Sequence, residues 1–142
     1  MTNNITPGAG LAAPADESLI TYTNVIYALH AVAVLIGVLG TATIVGSFVG
    51  GLPSIVAVIM NYARRSAVYG TFLESHFRWQ IRTFWFALLW VLVVWAISLP
   101  LMPVFLLGVV PLTIGMVVLG IWIIYRVVRG WVALSDRRPM YV

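Results

Sequence analysis

The chain has 142 residues, 62% of them apolar and only 8% charged, which excludes a water-soluble domain of ordinary composition. Cysteine is absent, so disulfides, thiolate metal sites, cysteine nucleophiles and thiol-linked lipid anchors are excluded. The net charge of +4 comes from eight arginines and four acids, and we assign the arginines to membrane topology rather than to binding of nucleic acid.

The first half of the chain predicts a polar tail followed by a helical hairpin. Residues 1–18 carry no basic side chain, so no secretory signal peptide is predicted. The stretch Thr23–Tyr62 has no charge, and as one helix it would be about 60 Å long, twice the hydrocarbon thickness. Paired glycines and a proline within 46–53 predict a break. We therefore predict a hairpin with arms Asn24–Gly46 and Pro53–Arg64. The second arm is short, so we expect it to start before the glycines, to tilt little, or to thin the bilayer locally.

The second half predicts two further membrane helices. An interfacial mixture of arginines and aromatic residues over 61–82 is typical of the headgroup region. Apolar segments then predict spans at Ile81–Leu99 and Val104–Val128, separated by a turn containing two prolines. The predicted fold class is all-α, a polytopic membrane helical bundle, with one transmembrane domain over residues 19–134 and a basic tail over 135–142.

The arginines predict the orientation of these helices. Four lie between the second and third spans, and four lie at or after the end of the last span. The positive-inside rule then favours N-in and C-in topology, with every arginine on the cytoplasmic side. A three-span arrangement would place the acidic N-terminal tail outside and still leave every arginine inside. Charge alone leaves both topologies open.

The most polar stretch of the sequence opens the third span. It contains Glu74, His76, Arg78, Gln80 and Arg82. Helical spacing pairs Glu74 with Arg78, and it also brings His76 near Gln80. One interpretation makes His76 a proton-transfer group, because imidazole titrates near neutral pH and ionisable groups within membranes often mark pathways. The preferred interpretation is an anchor to lipid headgroups, built from an ion pair with neighbouring arginine and tryptophan.

A second histidine, His30, lies within the first apolar run. An unpaired charge is costly in lipid, so this side chain must stay neutral or find a partner. Pairing with His76 would give a two-histidine site, but no third ligand or carboxylate pair supports one, and no metal or haem cofactor is predicted. The preferred interpretation is that His30 donates one hydrogen bond to a neighbouring helix or faces the membrane interface.

A stripe of small residues is a candidate packing surface. Ala42, Gly46 and Gly50 follow each other at intervals of four, which lets two helix backbones approach closely. Packing within the monomer and packing against a second copy both stay open. The sequence has no P-loop, no Gly-x-Ser-x-Gly element and no Ser-His-Asp arrangement, so we predict no enzymatic activity.

The polar stretch also carries a resemblance. Leu73–Ile81, Leu-Glu-Ser-His-Phe-Arg-Trp-Gln-Ile, resembles a signature of small uncharacterised bacterial membrane proteins, which include magnetosome proteins of the MamF type and look distantly related to a chloroplast inner-envelope import component. Agreement extends to His30, Pro53, Arg64, Arg65 and the ending Asp136–Tyr141. The resemblance implies a fold of four spans, or of a hairpin plus two spans. It supplies no catalytic residues.

Two functions are compatible with these features. Sparse polar chemistry and abundant aromatic and small-residue surfaces favour a structural or accessory protein, which packs with itself or with other membrane protein subunits in the lipid bilayer. The alternative is a component of a small-solute or proton transport pathway, with His30 and His76 lining a polar path.

Overall fold

Four α-helices make up the described part of the chain. The computed structural model describes residues 14–40, 44–104 and 106–140 and contains no strand within them. The helices are α1 (Glu17–Gly40), α2 (Ile44–Ala63), α3 (Leu73–Leu101) and α4 (Val109–Ser135). Of these, α1, α3 and α4 are long and apolar enough to cross a membrane, and α2 contains a shorter apolar segment. The predicted all-α class is confirmed.

The predicted bounds of the N-terminal hairpin are wrong. The first helix begins at Glu17 instead of Asn24, and the second runs from Ile44 through Pro53 to Ala63, so no break occurs over 46–53. Unpaired backbone groups in apolar surroundings cost several kcal/mol each, and this outweighs the weak helix propensity of the glycines. The connection between α1 and α2 lies over 41–43, outside the described residues.

The predicted bounds of the last two helices are also wrong. The third helix begins at Leu73 rather than Ile81, so it includes the entire polar stretch, and it ends at Leu101 rather than Leu99. The fourth runs over Val109–Ser135 rather than Val104–Val128. In the added turns, Arg78 pairs with Glu74 and Arg129 donates to the Tyr125 hydroxyl, so these charged residues have partners within the helix.

The helices form two antiparallel hairpins that pack side by side. Helix α1 packs chiefly on α2, and α3 packs chiefly on α4. The two hairpins are joined mainly through α1 and α4, whereas α2 and α3 touch only sparsely. A short 3₁₀ turn, Arg65–Val68, leads from α2 towards α3, and Gly70 adopts the positive φ of 75° that the chain reversal requires. One side of the bundle, between α2 and α3, is consequently less closed.

All charged residues lie toward one end of the bundle. The eight arginines and four acids lie where α1 and α3 begin and where α2 and α4 end, within about three helical turns. Arg137 binds Glu17 at 2.6 Å, and the guanidinium of Arg64 lies 5.5 Å from the ring centroid of Tyr22. We call this end of the bundle the charged end.

The tightly packed core lies in the half of the bundle nearer the charged end. All four helices and the 3₁₀ turn contribute to it. Its buried members are Ile20, Ile26, Tyr27, Ala57, Val68, Leu73, Phe77, Val127 and Leu134. In the opposite half, large apolar side chains of α3 and α4 face outward, including Leu92, Ile97, Val110, Ile114 and Val118. A large exposed apolar surface is typical of a face that contacts a membrane or another protein.

Contact between α1 and α4 depends on a glycine. A Cβ atom at Gly130 would lie 2.5 Å from Tyr27 Oη and 2.7 Å from Cε1 of the same ring. Only a residue without a side chain lets the tyrosine lie flat against α4 at this point. By contrast, a Cβ atom at Gly120 of the same helix would meet no atom within 4 Å.

We predict that Gly130→Ala lowers the free energy of unfolding by about 1–3 kcal/mol, because the added methyl displaces the Tyr27 ring from a packed position. Unfolding of the detergent-solubilised protein by a denaturing detergent measures this change. The matched control is Gly120→Ala, for which we expect no loss and a gain of up to about 1 kcal/mol from helix propensity. Equal stability of the two variants would contradict the close approach of α1 and α4.

Candidate functional site

A buried chain of hydrogen bonds joins three elements near the charged end. His76 of α3 places Nδ1 2.9 Å from the Tyr27 hydroxyl of α1 and Nε2 2.8 Å from the carbonyl oxygen of Arg138. A carbonyl oxygen can only accept, so Nε2 carries the hydrogen and donates it. In the neutral ring, Nδ1 then accepts from the Tyr27 hydroxyl. We call this set of three groups the histidine joint.

Neighbouring contacts hold the histidine joint in place. The ring of Trp131 on α4 stacks on Tyr27 at 6.4 Å between centroids and 12° between planes, and its Nε1 donates to Asn24 Oδ1 at 3.0 Å. The backbone N–H of Met140 donates to Ser75 Oγ at 2.9 Å, and the Met140 side chain is buried. Residues 138–140, predicted as part of a basic tail, therefore pack against α3.

The polar stretch of α3 divides into an outer and an inner set. Glu74 and Arg78 form the ion pair expected from helical spacing, at 3.1 Å on the surface. Arg82 is also exposed. His76 and Gln80 are buried, with exposed fractions of 0% and 2%. The structure brings His76 to Tyr27 and Arg138, and it does not pair His76 with Gln80.

An arginine that the sequence analysis did not single out joins α3 to α4. Arg126 Nε donates to Thr83 Oγ1 at 2.7 Å, and its guanidinium carbon lies 3.6 Å from the ring centroid of Trp79. The Trp79 Nε1 in turn donates to the Arg126 carbonyl at 3.1 Å. The signal that could have found this residue is its position inside a predicted apolar span, where an arginine must have polar or aromatic partners.

A cavity of about 350 Å³ lies between the helices, next to the histidine joint. All four helices line it, mostly with apolar atoms. On one wall, His30 Nδ1 lies 3.2 Å from Ser54 Oγ of α2, so His30 bonds to a neighbouring helix and does not pair with His76. On the facing wall lie Gln80 and Arg126.

Buried polar atoms of this cavity lack protein partners. Nε2 of His30 and both amide atoms of Gln80 have no hydrogen bond within the described part of the chain. Buried polar groups are normally satisfied, and each unsatisfied one costs about 1–3 kcal/mol. The cavity can therefore accept a group that offers hydrogen-bonding atoms to His30 and Gln80.

The structure gives less support to the other candidate sites. Over residues 14–40, 44–104 and 106–140, no three His, Cys, Asp or Glu side chains come close enough together to hold a metal ion. Of the small-residue stripe, Gly46 and Gly50 belong to α2, but Ala42 and the contacts of the stripe lie outside the described residues. Its role in packing stays a prediction.

We predict that His76→Ala frees the segment after α4, because the Arg138 carbonyl and the Tyr27 hydroxyl both lose a buried partner, at a cost of about 1–3 kcal/mol each. Limited trypsin digestion measures the release, since Arg137 is exposed and cleavage after it removes the segment. Arg78→Gln is the matched control, because its surface ion pair does not touch this segment. Equal cleavage rates in both variants would count against the histidine joint.

No family model, curated protein or solved structure matches this chain. Membership of the bacterial family that Leu73–Ile81 resembles stays a prediction.

Proposed function

We propose that the protein is a small integral membrane protein that spans the bilayer with four helices and has a noncatalytic structural or accessory role. One observation carries the proposal: the polar side chains inside the bundle join helices to one another, while the outer surface is apolar away from the charged end. Chains built in this way bind neighbouring helices and lipid through packing.

Helix length supports the membrane location. The 29 residues of α3 extend over about 43 Å, which exceeds the roughly 30 Å hydrocarbon core. Arg82 lies nine residues after Leu73, and Arg126 lies nine residues before Ser135, so both are about 13 Å from the charged end. The hydrocarbon core accounts for about 30 Å of α3. The remaining length, roughly 13 Å, equals the distance from the charged end over which charged residues occur. Arginines would lie at the headgroups, and only uncharged residues would lie in the hydrocarbon.

The charged end also determines the proposed orientation of the protein in the membrane. All eight arginines lie at the charged end, which by the positive-inside rule faces the cytoplasm. With four spans, the N-terminus and the C-terminus share that side. The 20 residues of α2 are about 30 Å long, which suffices for a complete crossing. We place the protein in a bacterial cytoplasmic membrane on the strength of the resemblance at Leu73–Ile81.

An accessory role agrees with how the polar groups are used. Glu74 and Arg78 pair with each other, and His76 bonds to Tyr27 and to a backbone carbonyl. In the described part of the chain, no three His, Cys, Asp or Glu side chains come together. Meanwhile Trp85 and Trp90 of α3 are about half exposed on the outer face, where they are available to lipid or to another subunit.

A transport path through both histidines is the less favoured alternative. A proton passing from Tyr27 to His76 would have to leave through Nε2, which donates to the Arg138 carbonyl. A backbone carbonyl is too weak a base to take up the proton. His30 contacts Ser54, and no hydrogen bond joins His30 to Tyr27 or His76 in the described part of the chain.

We predict that a cysteine introduced at Ser66 or Ser135 is protected from a membrane-impermeant maleimide in intact cells and reacts after permeabilisation. Both residues are exposed at the charged end, which the proposal places in the cytoplasm. A cysteine at Leu107, in the turn between α3 and α4, should react in intact cells. The chain has no cysteine of its own, so each variant carries a single label site. Labelling of Ser135→Cys in intact cells would refute this topology.

We also predict that the protein extracted in a mild detergent migrates as an oligomer or with another membrane protein, as measured by native mass spectrometry and identification of everything that co-purifies. A tryptophan on the outer face of α3 should contribute, so Trp90→Ala should reduce the association. Ser135→Ala, at the exposed end of α4, is the control. A strictly monomeric protein without companions would reject the accessory role.

A further inference from the structure

The cavity beside the histidine joint is partly open, and its opening lies between α2 and α3. Three of its lining residues, Gly51, Ile55 and Leu88, are exposed, and they belong to these two helices. The walls contributed by α1 and α4 are more deeply buried. We call this opening and the cavity behind it the lateral crevice. In a membrane it would face lipid.

Polar atoms of the lateral crevice lie within a zone about 10 Å deep, which we call the polar level. Gln80 is 2% exposed and His30 is 7% exposed, and each has unpartnered polar atoms there. Along their helices these residues lie about 10 Å and about 20 Å from the charged end. The Thr83 hydroxyl and the Arg126 guanidinium lie between them in depth. Because charged residues reach about 13 Å from the charged end, the polar level begins among the headgroups, and His30 lies in the adjoining hydrocarbon.

Deeper in the lateral crevice the lining is apolar. Phe84, Leu88 and Val91 continue along α3, with Val91 about 27 Å from the charged end. An occupant that matches both levels has a polar head near the charged end and an apolar chain pointing away from it. Ligand cavities of about 300–1,000 Å³ commonly combine such apolar walls with a few placed polar groups.

The charge near the polar level is positive and uncompensated. Arg126 has no carboxylate partner within the described part of the chain, and its Nη atoms donate to no protein acceptor there. Arg82 and Arg129 lie near enough to repel it. Glu74, Glu17 and Asp136 pair with other arginines, and Asp16 accepts from the Ser18 N–H. An anionic head would satisfy Arg126.

Water alone fits the lateral crevice less well. Its volume of about 350 Å³ corresponds to roughly ten water molecules, each of which requires two to four polar partners. The walls supply few polar atoms, all within the polar level. An apolar chain fills the remaining space without losing hydrogen bonds.

We infer that the lateral crevice binds one anionic amphipath, a lipid whose phosphate oxygens contact Arg126 and Gln80 and whose acyl chain lies along Phe84, Leu88 and Val91. His30 Nε2 supplies a further hydrogen-bonding atom at the deeper edge of the head. The inference rests on the proposed membrane location and is independent of any protein partner.

Native mass spectrometry of the complete protein, extracted from membranes in mild detergent, tests the inference. The probes are phosphatidylglycerol, phosphatidylcholine with the same acyl chains, and inorganic phosphate. We expect retention of one phosphatidylglycerol, with phosphatidylcholine bound about tenfold more weakly. Both lipids carry the phosphate, but the quaternary ammonium of phosphatidylcholine would be repelled by Arg126 and by the neighbouring Arg82 and Arg129. Equal retention of both lipids, or retention of inorganic phosphate without lipid, would overturn the inference.

Matched variants locate the binding. Ala87→Leu narrows the lateral crevice and should abolish retention, whereas Ala96→Leu adds the same atoms to an exposed position of α3 and should not. Arg126→Gln should lower retention about tenfold. Arg65→Gln removes an equal charge away from the crevice and should have no effect. Equal loss in Ala87→Leu and Ala96→Leu would show non-specific binding and overturn the inference.

Gln80→Leu separates ligand binding from a structural role. It removes two unpartnered buried atoms, so the lipid-free protein should become more stable while phosphatidylglycerol retention falls. Lower stability with unchanged retention would overturn the inference. Failure of the membrane proposal gives a different result, because the protein would then be released from membranes by alkaline washing, before any lipid is added.

Discussion

The Tyr27 hydroxyl, the His76 ring and the Arg138 carbonyl form one hydrogen-bonded chain, and the packing of the two hairpins depends on it. In an apolar interior a hydroxyl or an imidazole without a partner is costly, so these groups have to meet. These groups come from α1, α3 and the segment after α4. Their two hydrogen bonds therefore fix the relative positions of all three elements. The tight core near the charged end follows from this constraint.

The same constraint explains the uneven construction of the bundle. Near the charged end, hydrogen bonds such as Trp131 to Asn24 and Arg126 to Thr83 link neighbouring helices, and the interior is closely packed. Farther away the helices carry apolar side chains outward, and α2 touches α3 only sparsely. The lateral crevice opens where polar links between α2 and α3 are few. Hydrogen bonds between helices thus stabilise the half of the bundle near the charged end. In the proposed location, the membrane would cover the apolar side chains of the other half.

The sequence predicts well those features that depend on residues near one another in the chain. The all-α class follows from long apolar segments, and the Glu74–Arg78 pair follows from helical spacing within one helix. The helix bounds were less predictable, because Pro53 resembles a helix start but lies inside α2. The partners of His76 could not be predicted, since Arg138 is 62 residues away and meets the histidine only through packing of the complete bundle. The lateral crevice could not be predicted either, because it also results from packing of the complete bundle and no sequence motif marks it.

The bond from Trp131 to Asn24 connects residues 107 positions apart. At a synthesis rate of about 5–20 residues per second, Trp131 of α4 is made roughly 5–20 s after Asn24 of α1. Over that interval Asn24 lacks its Trp131 partner. In the proposed membrane location, the first hairpin would therefore enter the bilayer before this bond can form, and the bundle would be complete only after translation of its last helix.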